Sequence, residues 1–361
     1  WNILVPYWRP DITIAEDLIE ELARIIGYDS IPIKTIQGDL PIWKPSKDLE
    51  LRDKIVDYLV GFGMREIISY TGTSIESEKR INLPDDLPPY TKILNPISSE
   101  FNILRRSLRE GILTCAAKNS NTWNGPIAIF EIGRIFLDYG KDLPQEKLML
   151  VGGFTGPRFA NSWDMASSMS DFYDAKGIVE SLLGRLFLTG NYTALDNGFL
   201  HPGKSASINL FDRSVGKIGE IHPVVQKDFG VTEGTAVYFE MDVRSMFEMA
   251  TETFPRMKPL ARFPSTIRDV SLLVDLNVTY ASIKNIFEQN KLVAKAVLED
   301  VYEGDGIPEQ KCSLTFRLYL QSPIKTLSSG EVNDAINKVL DKLKAETGSI
   351  LRGTEGQFEQ H

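Results

Sequence analysis

The stretch CSLTFRLYLQ, residues 312–321, alternates apolar and polar side chains along most of its length. Its apolar positions are Leu314, Phe316, Leu318 and Leu320. Between them stand Arg317 and Tyr319, which face the other way in an extended chain. A period of two residues is typical of a β-strand that buries one face, because successive side chains of a strand point to opposite sides of the sheet. We therefore predict a half-buried strand here.

The segments around this strand complete a small α+β domain. In chain order they predict strand, helix, strand, strand, helix and short strand: TIRDVSLLVD, YASIKNIFEQN, AVLEDVYEG, CSLTFRLYLQ, GEVNDAINKVLDKLKAE and SILRG. This βαββαβ order is that of the ferredoxin-like fold. We predict such a domain over residues 254–353, with both helices on one sheet face. Arg317 and Tyr319 then lie on the open face, where they either stack on an unpaired base or meet solvent or another domain.

Residues 46–250 form the largest predicted unit, which is also α+β. It begins with an amphipathic helix, DLELRDKIVDYLVGFG, whose Ile55, Leu59 and Val60 lie towards one side. The β-rich pieces that follow are EIISYTG, AIFEIGRIF, KLMLVGGF, SASINL, GKIGEIH and AVYFEMDV. The helical pieces among them include SLREGILTCAAKNSN and DFYDAKGIVESLLGRL. Short strands with few helical crossovers favour an antiparallel sheet with helices packed against it.

Residues 1–40 combine an extended piece, WNILVPYW, with one amphipathic helix that ends at Gly27. We interpret the extended piece as part of a strand. The proline-bearing segment DLPIWKPSKD then separates this region from the unit that follows.

Four carboxylates at the start of this helix form what we name the acidic cluster: Asp11, Asp17, Glu20 and Glu21. Like charges at helical spacing destabilise a helix unless a cation stands among them. Favourable placement near the helix N-terminus, with Glu20 paired to Arg24, explains part of the cluster. A hard divalent cation such as Mg²⁺ or Ca²⁺, which takes carboxylate oxygens, is the other explanation. The spacing alone leaves both open.

The composition, 42% hydrophobic and 25% charged, is that of a globular protein, and 361 residues are enough for two or three domains. No apolar run approaches the roughly 18 residues of a membrane-spanning helix, and no signal peptide is recognisable. The chain begins at Trp1 without a methionine. We therefore expect a piece of a longer, cytoplasmic protein, in which Cys115 and Cys312 are buried reduced thiols.

The formal net charge of −9 argues against nonspecific nucleic-acid binding over the whole surface. The charge is uneven, however. Residues 254–353 carry 14 Lys and Arg against 12 Asp and Glu, whereas the remainder carries 26 against 37. The C-terminal segment therefore has a slightly positive net charge, which is compatible with an RNA-binding domain.

Motifs of self-contained enzymes are absent from the sequence. It contains no Walker A sequence, no GxGxxG after a strand, and no GxSxG, HExxH or CxxC. Three histidines are too few for a typical histidine-ligated zinc site or a histidine-based triad. We therefore predict no catalytic residues. Two rival functions stay open: an enzyme that uses Asp17, Glu20 and Glu21 with Mg²⁺ in phosphoryl transfer, and a protein-interaction module without an RNA role.

Five motifs in series resemble the β subunit of bacterial phenylalanyl-tRNA synthetases. RPDITIAEDLIEELARIIGYDSIP resembles the end of the family's B5 domain. Four further stretches of this chain resemble the family's synthetase-like core: NPISSEFNILRRSLREGILTCAAKNSN, AIFEIGRIF, LHPGKSASI and GKIGEIHP. FPSTIRDVSLLVD and EDVYEGDGIPEQKCSLTFRLYLQSPIKTLSSGEVNDAI resemble its ferredoxin-fold anticodon-binding domain. The resemblance runs nearly end to end, in the family's order.

The resemblance implies three domains: the C-terminal part of B5 at 1–40, a catalytically inactive class II synthetase-like core at 46–250, and an anticodon-binding domain at 254–353. It also implies that the acidic cluster holds Mg²⁺ in a site shared with the α subunit. The family's holoenzyme is an α₂β₂ heterotetramer that activates phenylalanine with ATP and transfers it to tRNA(Phe). This chain would scaffold the α subunit and bind tRNA without itself binding ATP. The family's editing domain lies upstream of Trp1, so editing is not expected of this chain.

A class II active site needs one arginine on the ATP α-phosphate and another in a G-x-E-R context. The hairpin IFEIGRIF instead places a glutamate before its only arginine, and no glycine-rich ER stretch follows. We therefore interpret Arg105, Arg106 and Arg109 as structural or subunit-interface residues. We choose candidates for RNA contacts by their charge, stacking ability or place on the predicted sheet. These candidates are Arg268, Arg317, Tyr319, Lys325 and Arg352.

Overall fold

The computed structural model describes residues 1–35, 38–39, 44, 46–81, 87–123, 125–166, 168–231, 234–252, 257 and 259–352. The chain divides into two compact units, Trp1–Phe254 and Pro255–His361. Pro41 and Pro45 of the predicted linker lie outside the described residues. In the ranges given above, no helix has the length and apolar character needed to cross a membrane.

A seven-stranded sheet forms the centre of the first unit, in the order β1-β4-β5-β9-β8-β7-β6. A two-stranded ladder, β2 with β3, lies apart from it. The strands of this unit are β1 Arg65–Glu66, β2 Gly72–Thr73, β3 Ile103–Leu104, β4 Ile127–Leu137, β5 Gln145–Thr155, β6 Gly190–Ala194, β7 Leu200–Leu210, β8 Arg213–Ile221 and β9 Val237–Asp242. β1 runs parallel to β4, and the neighbouring pairs from β4 to β6 are antiparallel. The predicted antiparallel α+β architecture is confirmed.

Helices cover both faces of this sheet. The helices of the unit are α1 Ala15–Ile26, α2 Lys47–Gly61, α3 Ile75–Arg80, α4 Arg109–Ser120, α5 Phe172–Arg185, α6 Pro223–Phe229 and α7 Val243–Glu252. On one face, α2, α5 and α7 pack on apolar strand residues such as Phe130 and Phe239. On the other, α4 and α6 pack on the alternate residues, among them Ile129 and Tyr238. Burial on both sides explains why these strands carry so many apolar residues.

Helix α1 ends where the sequence predicts, at Gly27, whose φ of +95° is a conformation that favours glycine. None of its residues is buried. Of the five apolar positions predicted for one face of the helix, Leu18 is half-buried, and the other four, Ile19, Leu22, Ile25 and Ile26, are between 57% and 75% exposed. The apolar face predicted for this amphipathic helix therefore exists, but most of it is exposed to solvent.

Three details differ from the sequence-based expectations. Residues 1–8 form no strand. In EIISYTG, only the two ends are in strands, β1 and β2, whereas residues 67–71 have no regular structure. In α2, Ile55 and Leu59 are buried, but Val60 is 53% exposed. Short apolar runs do not determine their own pairing, because strand formation depends on partners elsewhere in the chain.

Three arginines that follow β3 are buried in ion pairs with carboxylates from three different elements. Arg105 Nη1 lies 2.8 Å from Glu131 Oε1 in β4. Arg106 Nε lies 2.9 Å from Glu78 Oε2 in α3. The third, Arg109, lies at the start of α4. This agrees with the interpretation of the three arginines as structural residues.

Arg109 reaches the central strand β9. Its Nη2 and Nε lie 2.6 and 3.1 Å from the two oxygens of Glu240. Tyr238 donates its hydroxyl to Glu240 Oε2 at 2.7 Å, and the Arg109 guanidinium carbon lies 4.3 Å from the centroid of the Phe199 ring. Burial is the largest single influence on Glu240 and opposes its ionisation, but the charge and hydrogen bonds of Arg109, with smaller contributions from Lys217 and Tyr238, together outweigh it and lower the pKa of this carboxyl. The pair is therefore charged at neutral pH.

The second unit has the predicted order β10 Thr266–Asp275, α8 Tyr280–Glu288, β11 Val293–Tyr302, β12 Lys311–Leu320, α9 Ser329–Thr347 and β13 Ile350–Leu351. Its sheet has the order β11-β12-β10-β13. Phe316 and Leu318 of β12 are buried together with Ile283 of α8 and Val339 of α9, so both helices cover one face. The ferredoxin-like fold is confirmed. Cys312 is buried in this core and reduced, whereas Cys115 of the first unit is only half-buried.

The Arg109–Glu240 pair provides a test of what holds the first unit together. Arg109→Met and Glu240→Gln each leave the other partner without its counter-charge in the core, so we expect the free energy of unfolding to fall by about 3–5 kcal/mol. Urea denaturation followed by circular dichroism measures this. The control is Arg134→Gln, which removes a solvent-exposed pair with Glu146 and should change stability by at most about 1 kcal/mol. Equal stability of the Arg109→Met and Arg134→Gln proteins would contradict the assignment.

Candidate functional site

A guanidinium group occupies part of the acidic cluster. Arg9 Nε lies 3.0 Å from Asp11 Oδ1, and Arg9 Nη2 lies 2.7 Å from Asp11 Oδ2. The same Nη2 donates to Glu21 Oε1 at 2.6 Å. The other oxygen of Glu21 accepts from Arg24 Nη2, also at 2.6 Å. The predicted pairing of Glu20 with Arg24 is therefore wrong, since Arg24 bonds to Glu21, one residue further along the helix.

Asp17 bonds to backbone N–H groups and not to an arginine. Its Oδ2 accepts hydrogen bonds from the backbone N–H groups of Thr13 at 2.7 Å and Ile14 at 3.0 Å, at the N-terminus of α1. These bonds, with Ile14 contributing most, lower the pKa of Asp17. Glu20 is exposed and makes no hydrogen bond or ion pair with the rest of the described chain.

The four carboxylates as arranged do not form a donor set for a metal ion. Both oxygens of Asp11 and both oxygens of Glu21 are bonded to arginine, and one oxygen of Asp17 caps the helix. Within the described ranges, no group of three or more Asp, Glu, His or Cys is placed to hold a metal ion. The assignment of Mg²⁺ to Asp11, Asp17, Glu20 and Glu21 therefore stays a prediction.

On the open face of the second unit, Arg317 is held by two carboxylates. Its Nε and Nη2 each lie 2.9 Å from an oxygen of Asp269, its neighbour across the β10–β12 ladder. Its Nη1 lies 3.4 Å from Glu299 Oε1. The hydrogen bonds from Arg317 lower the pKa of Asp269. A phosphate would have to compete with these carboxylates for the guanidinium.

Tyr319 and Arg352 also lie on this face, and each is in contact with a residue that the sequence analysis did not nominate. Lys295 Nζ lies 5.7 Å from the centroid of the Tyr319 ring. The Arg352 guanidinium carbon lies 5.3 Å from the centroid of the Tyr302 ring. Both rings are partly exposed, at 38% for Tyr302, and each has a cation at one of its faces.

Lys295 and Tyr302 are missed by the sequence analysis for a structural reason. Both belong to β11, and the register between β11 and β12 shifts at two places, between Val293 and Lys295 and between Leu298 and Asp300. The shift between Leu298 and Asp300 changes which face Tyr302 lies on, so simple alternation along AVLEDVY assigns that residue incorrectly, whereas Lys295 lies one residue before the strand predicted from the sequence.

The remaining two candidates are not on the open face. Arg268 lies opposite Leu318 in the ladder, on the side that the helices cover further along the strand, and is exposed. Lys325 lies between β12 and α9 and forms an ion pair with Glu331, which caps the N-terminus of α9. The structure therefore brings Arg317, Tyr319 and Arg352 to one face of the sheet and leaves Arg268 and Lys325 apart from them.

In the first unit, a cavity of about 570 Å³ lies beside α4. Hydroxyl groups of Ser69, Ser74 and Thr114 line it together with Lys118. Its lining includes no arginine. Arg105, which lies close to Ser69, is already paired with Glu131. The cavity therefore presents one lysine to an anionic ligand, which is less than a phosphate cradle requires.

Comparisons with known proteins agree in identifying a family. The family model for the phenylalanyl-tRNA synthetase beta chain CLM domain matches residues 31–243. A ferredoxin-fold anticodon-binding domain matches residues 261–352, and a tRNA synthetase B5 domain matches residues 1–28.

Among curated proteins, the phenylalanine–tRNA ligase beta subunit of Dehalococcoides mccartyi strain 195 is 34% identical over 346 residues, covering 96% of this chain and 42% of the relative. That of Geobacillus kaustophilus is 34% identical over 358 residues, covering 98% and 44%. The chain thus spans less than half the length of these relatives. A solved pyrrolysyl-tRNA synthetase of Desulfitobacterium hafniense aligns with a TM-score of 0.44 and 14% identity, over 57% of this chain and 69% of the other.

The pKa of the Glu21 carboxyl group provides a direct test of its hydrogen bond from Arg9. Hydrogen bonds from Arg9 and then from Arg24 hold its pKa at about 2. Because this folded-state pKa lies below the unfolded value of about 4.3, the contribution of Glu21 to stability is complete above pH 4.3 and is lost as the pH falls towards 2. We expect an NMR titration of the carboxyl carbon to give a midpoint near 2. Arg9→Gln should raise that midpoint more than Arg24→Gln does. An unchanged midpoint in Arg9→Gln would contradict the geometry.

Proposed function

Because this chain belongs to the phenylalanyl-tRNA synthetase β-chain family, we propose that it is the part of a phenylalanine–tRNA ligase β subunit that scaffolds the catalytic α subunit and binds tRNA. The observation that carries the proposal is the order of domains: a class II-like antiparallel sheet unit, matched at 31–243, precedes a ferredoxin-like unit, matched at 261–352. The holoenzyme reaction joins phenylalanine to tRNA(Phe) with cleavage of ATP to AMP and pyrophosphate. For such a role in translation we also propose a cytoplasmic location.

The chemistry belongs to the α subunit in this proposal. Transfer of an adenylyl group needs fixed cations on the ATP phosphates, where negative charge accumulates. Here the arginines near the sheet, Arg105, Arg106 and Arg109, are each buried against a carboxylate. Freeing one of them for a phosphate would leave a carboxylate unpaired in the core, which is strongly unfavourable. The sheet unit is therefore suited to support and not to catalysis.

The open face of the second unit is the proposed tRNA surface. Three cations lie there, Lys295, Arg317 and Arg352, together with the rings of Tyr302 and Tyr319. Cations contact phosphates, whereas exposed rings stack on unpaired bases such as those of an anticodon loop. Asp269 and Glu299 hold Arg317 in place and reduce the net positive charge of the face. We therefore expect modest affinity from this unit, with the rest supplied by other contacts of the holoenzyme.

No step of the proposed function passes through a metal of this chain. The acidic cluster is predicted to hold Mg²⁺ in a site shared with the α subunit, but Arg9 and Arg24 bond to Asp11 and Glu21. The cluster's role in the proposal is therefore limited to the contact region with the α subunit.

Binding of a tRNA(Phe) transcript to the chain tests the tRNA surface. We expect Lys295→Gln, Arg317→Gln and Arg352→Gln each to weaken binding and to reduce the slope of log K against log salt by about 1. Asp269→Asn should strengthen binding, because it releases Arg317 from an ion pair. Fluorescence anisotropy over a series of KCl concentrations measures both quantities.

The control for this series is Lys342→Gln, which removes a cation from α9 on the helix-covered side of the same unit. It should leave affinity and slope unchanged. Affinity and slope equal to those of the unsubstituted chain in all four surface variants would contradict the tRNA surface and favour a protein-interaction module.

Assembly with the α subunit is the second test. We expect size-exclusion chromatography with light scattering to show a mixed α–β assembly when a purified bacterial phenylalanyl-tRNA synthetase α subunit is added, with the mass of an α₂β₂ tetramer. The chain run without the α subunit is the control. Separate elution of the two proteins at micromolar concentration would contradict the scaffold role of this chain.

A further inference from the structure

The cavity of about 570 Å³ beside α4 is lined by charged side chains of both signs. Glu100 and Glu110 supply carboxylates and Lys118 supplies an ammonium group, and none of the three forms an ion pair with another described residue. We propose that this cavity binds a short peptide-like zwitterion, with its ammonium group at the two glutamates and its carboxylate group at Lys118. The inference goes beyond the proposed function and does not depend on it.

The floor of the cavity is held by buried polar bonds. Ser69 lies there, donates its hydroxyl to Glu131 Oε2 at 2.6 Å and accepts from Arg105 Nη1 at 2.8 Å. Glu131 and Arg105 are buried and paired with each other. Gly111 completes the floor, because a Cβ atom at this position would lie 2.4 Å from Ser69 Oγ. The cavity is therefore preformed, with a volume typical of small-molecule sites.

Thr73 lines the cavity with a hydroxyl group that has no partner. The residue is 4% exposed, and its side chain makes no hydrogen bond to the described residues. A buried hydroxyl without a partner costs free energy, so this group favours a polar occupant of the cavity. The Ser77 hydroxyl also lines the cavity without such a bond. Hydroxyl groups both donate and accept, which suits the N–H and C=O groups of a peptide backbone.

The spacing of the charges sets the length of the ligand. Glu110, Thr114 and Lys118 line the cavity at every fourth position of α4, so they lie along one side of the helix. Glu110 and Lys118 are therefore separated by about 12 Å along the helix axis. The two charged groups of a free amino acid flank a single carbon, which is too short a span. The termini of an extended tripeptide lie about 10 Å apart, and the two protein side chains reach across the remainder.

Two aromatic rings lie at the acidic end of the cavity. Phe101 follows Glu100, and its ring centroid lies 5.3 Å from that of Tyr70. Tyr70 follows Ser69, which lies against the first turn of α4, so this end is next to the start of the helix. An ammonium group beside carboxylates and rings gains both charge-assisted hydrogen bonds and cation–π attraction. The free N-terminus of a peptide and an apolar first side chain fit this end.

The test is the binding of the tripeptide Leu-Ala-Ala to the chain, measured by isothermal titration calorimetry. We expect N-acetylation or C-terminal amidation of the tripeptide to weaken binding about fivefold each, the upper end for an ion pair that solvent reaches. Glu110→Gln and Lys118→Gln should weaken binding of the free tripeptide by a similar factor. Lys118→Gln should also bind the free and the amidated tripeptide equally, because the partner of the carboxylate is then missing.

The matched controls are Glu76→Gln and Lys79→Gln, which remove exposed charges of α3 that do not line the cavity. Both should bind the tripeptide as the unsubstituted chain does. Cys115 gives a second readout, since it lines the cavity and is half-buried, whereas Cys312 is buried in the other unit. The free tripeptide at its dissociation constant should slow alkylation of Cys115 by N-ethylmaleimide about twofold, because half of the cavities are then occupied.

Every other outcome overturns the inference. Absence of binding of the free tripeptide at about 10 mM excludes a useful site. Equal affinity for the free, acetylated and amidated forms would show that the charges of the termini are not recognised, and would indicate an internal segment of a partner protein as the occupant. Equal weakening by Glu76→Gln and Glu110→Gln would place the effect outside the cavity. Circular dichroism checks the fold of each variant, and the three tripeptides on the unsubstituted chain decide the question if Glu110→Gln does not fold.

Discussion

Three buried ion pairs fix the short segment after β3 to the first unit. Arg105, Arg106 and Arg109 lie within five residues of one another, yet they bond to carboxylates of β4, α3 and β9. Each arginine loses hydration on burial, and its bonded carboxylate offsets that loss, in Arg105 and Arg106 together with hydrogen bonds to backbone carbonyls. The segment therefore has one position in which all three charges are satisfied. The start of α4, and with it the helix layer on that face of the sheet, is located by this constraint.

The same constraint is the reason why we propose a supporting and not a catalytic role for this sheet unit. An active site keeps its cations poised towards a ligand, whereas these cations face inwards and are neutralised. Glu131 illustrates the change, because it accepts from both Arg105 and Ser69 and is 2% exposed. Structural use and catalytic use of an arginine exclude each other at a buried site, since a charge cannot be both paired in the core and free for phosphate.

The fold was largely predictable from the sequence, whereas the partners of the charged residues were not. Alternation along residues 312–321 predicted the buried face of β12, and Phe316 and Leu318 are buried as expected. The pairing of Arg317 with Asp269 could not be predicted from alternation, because the two residues are 48 positions apart and meet only through the register between β10 and β12. Likewise, helical spacing allowed Arg24 to bond to Glu20 or Glu21, and the structure shows that Arg24 and Arg9 bond to the two different oxygens of Glu21. Local periodicity determines secondary structure, but side-chain bonding requires three-dimensional neighbours.

The strand order of the second unit has a consequence for synthesis on the ribosome. β10 is made first, but its neighbours in the sheet are β12 and β13. Leu272 of β10 pairs with Leu314 and with Leu351, so the later of its two partners is the last strand of the unit to be made. The nascent sheet therefore keeps an open edge on β10 until residue 351 has left the exit tunnel. Non-local pairing of this kind delays folding, and an unpaired strand edge invites association with other chains. Pairing along β10 is consequently completed only at the C-terminal end of the unit, and a chain that ends before residue 350 would keep this edge of β10 unpaired.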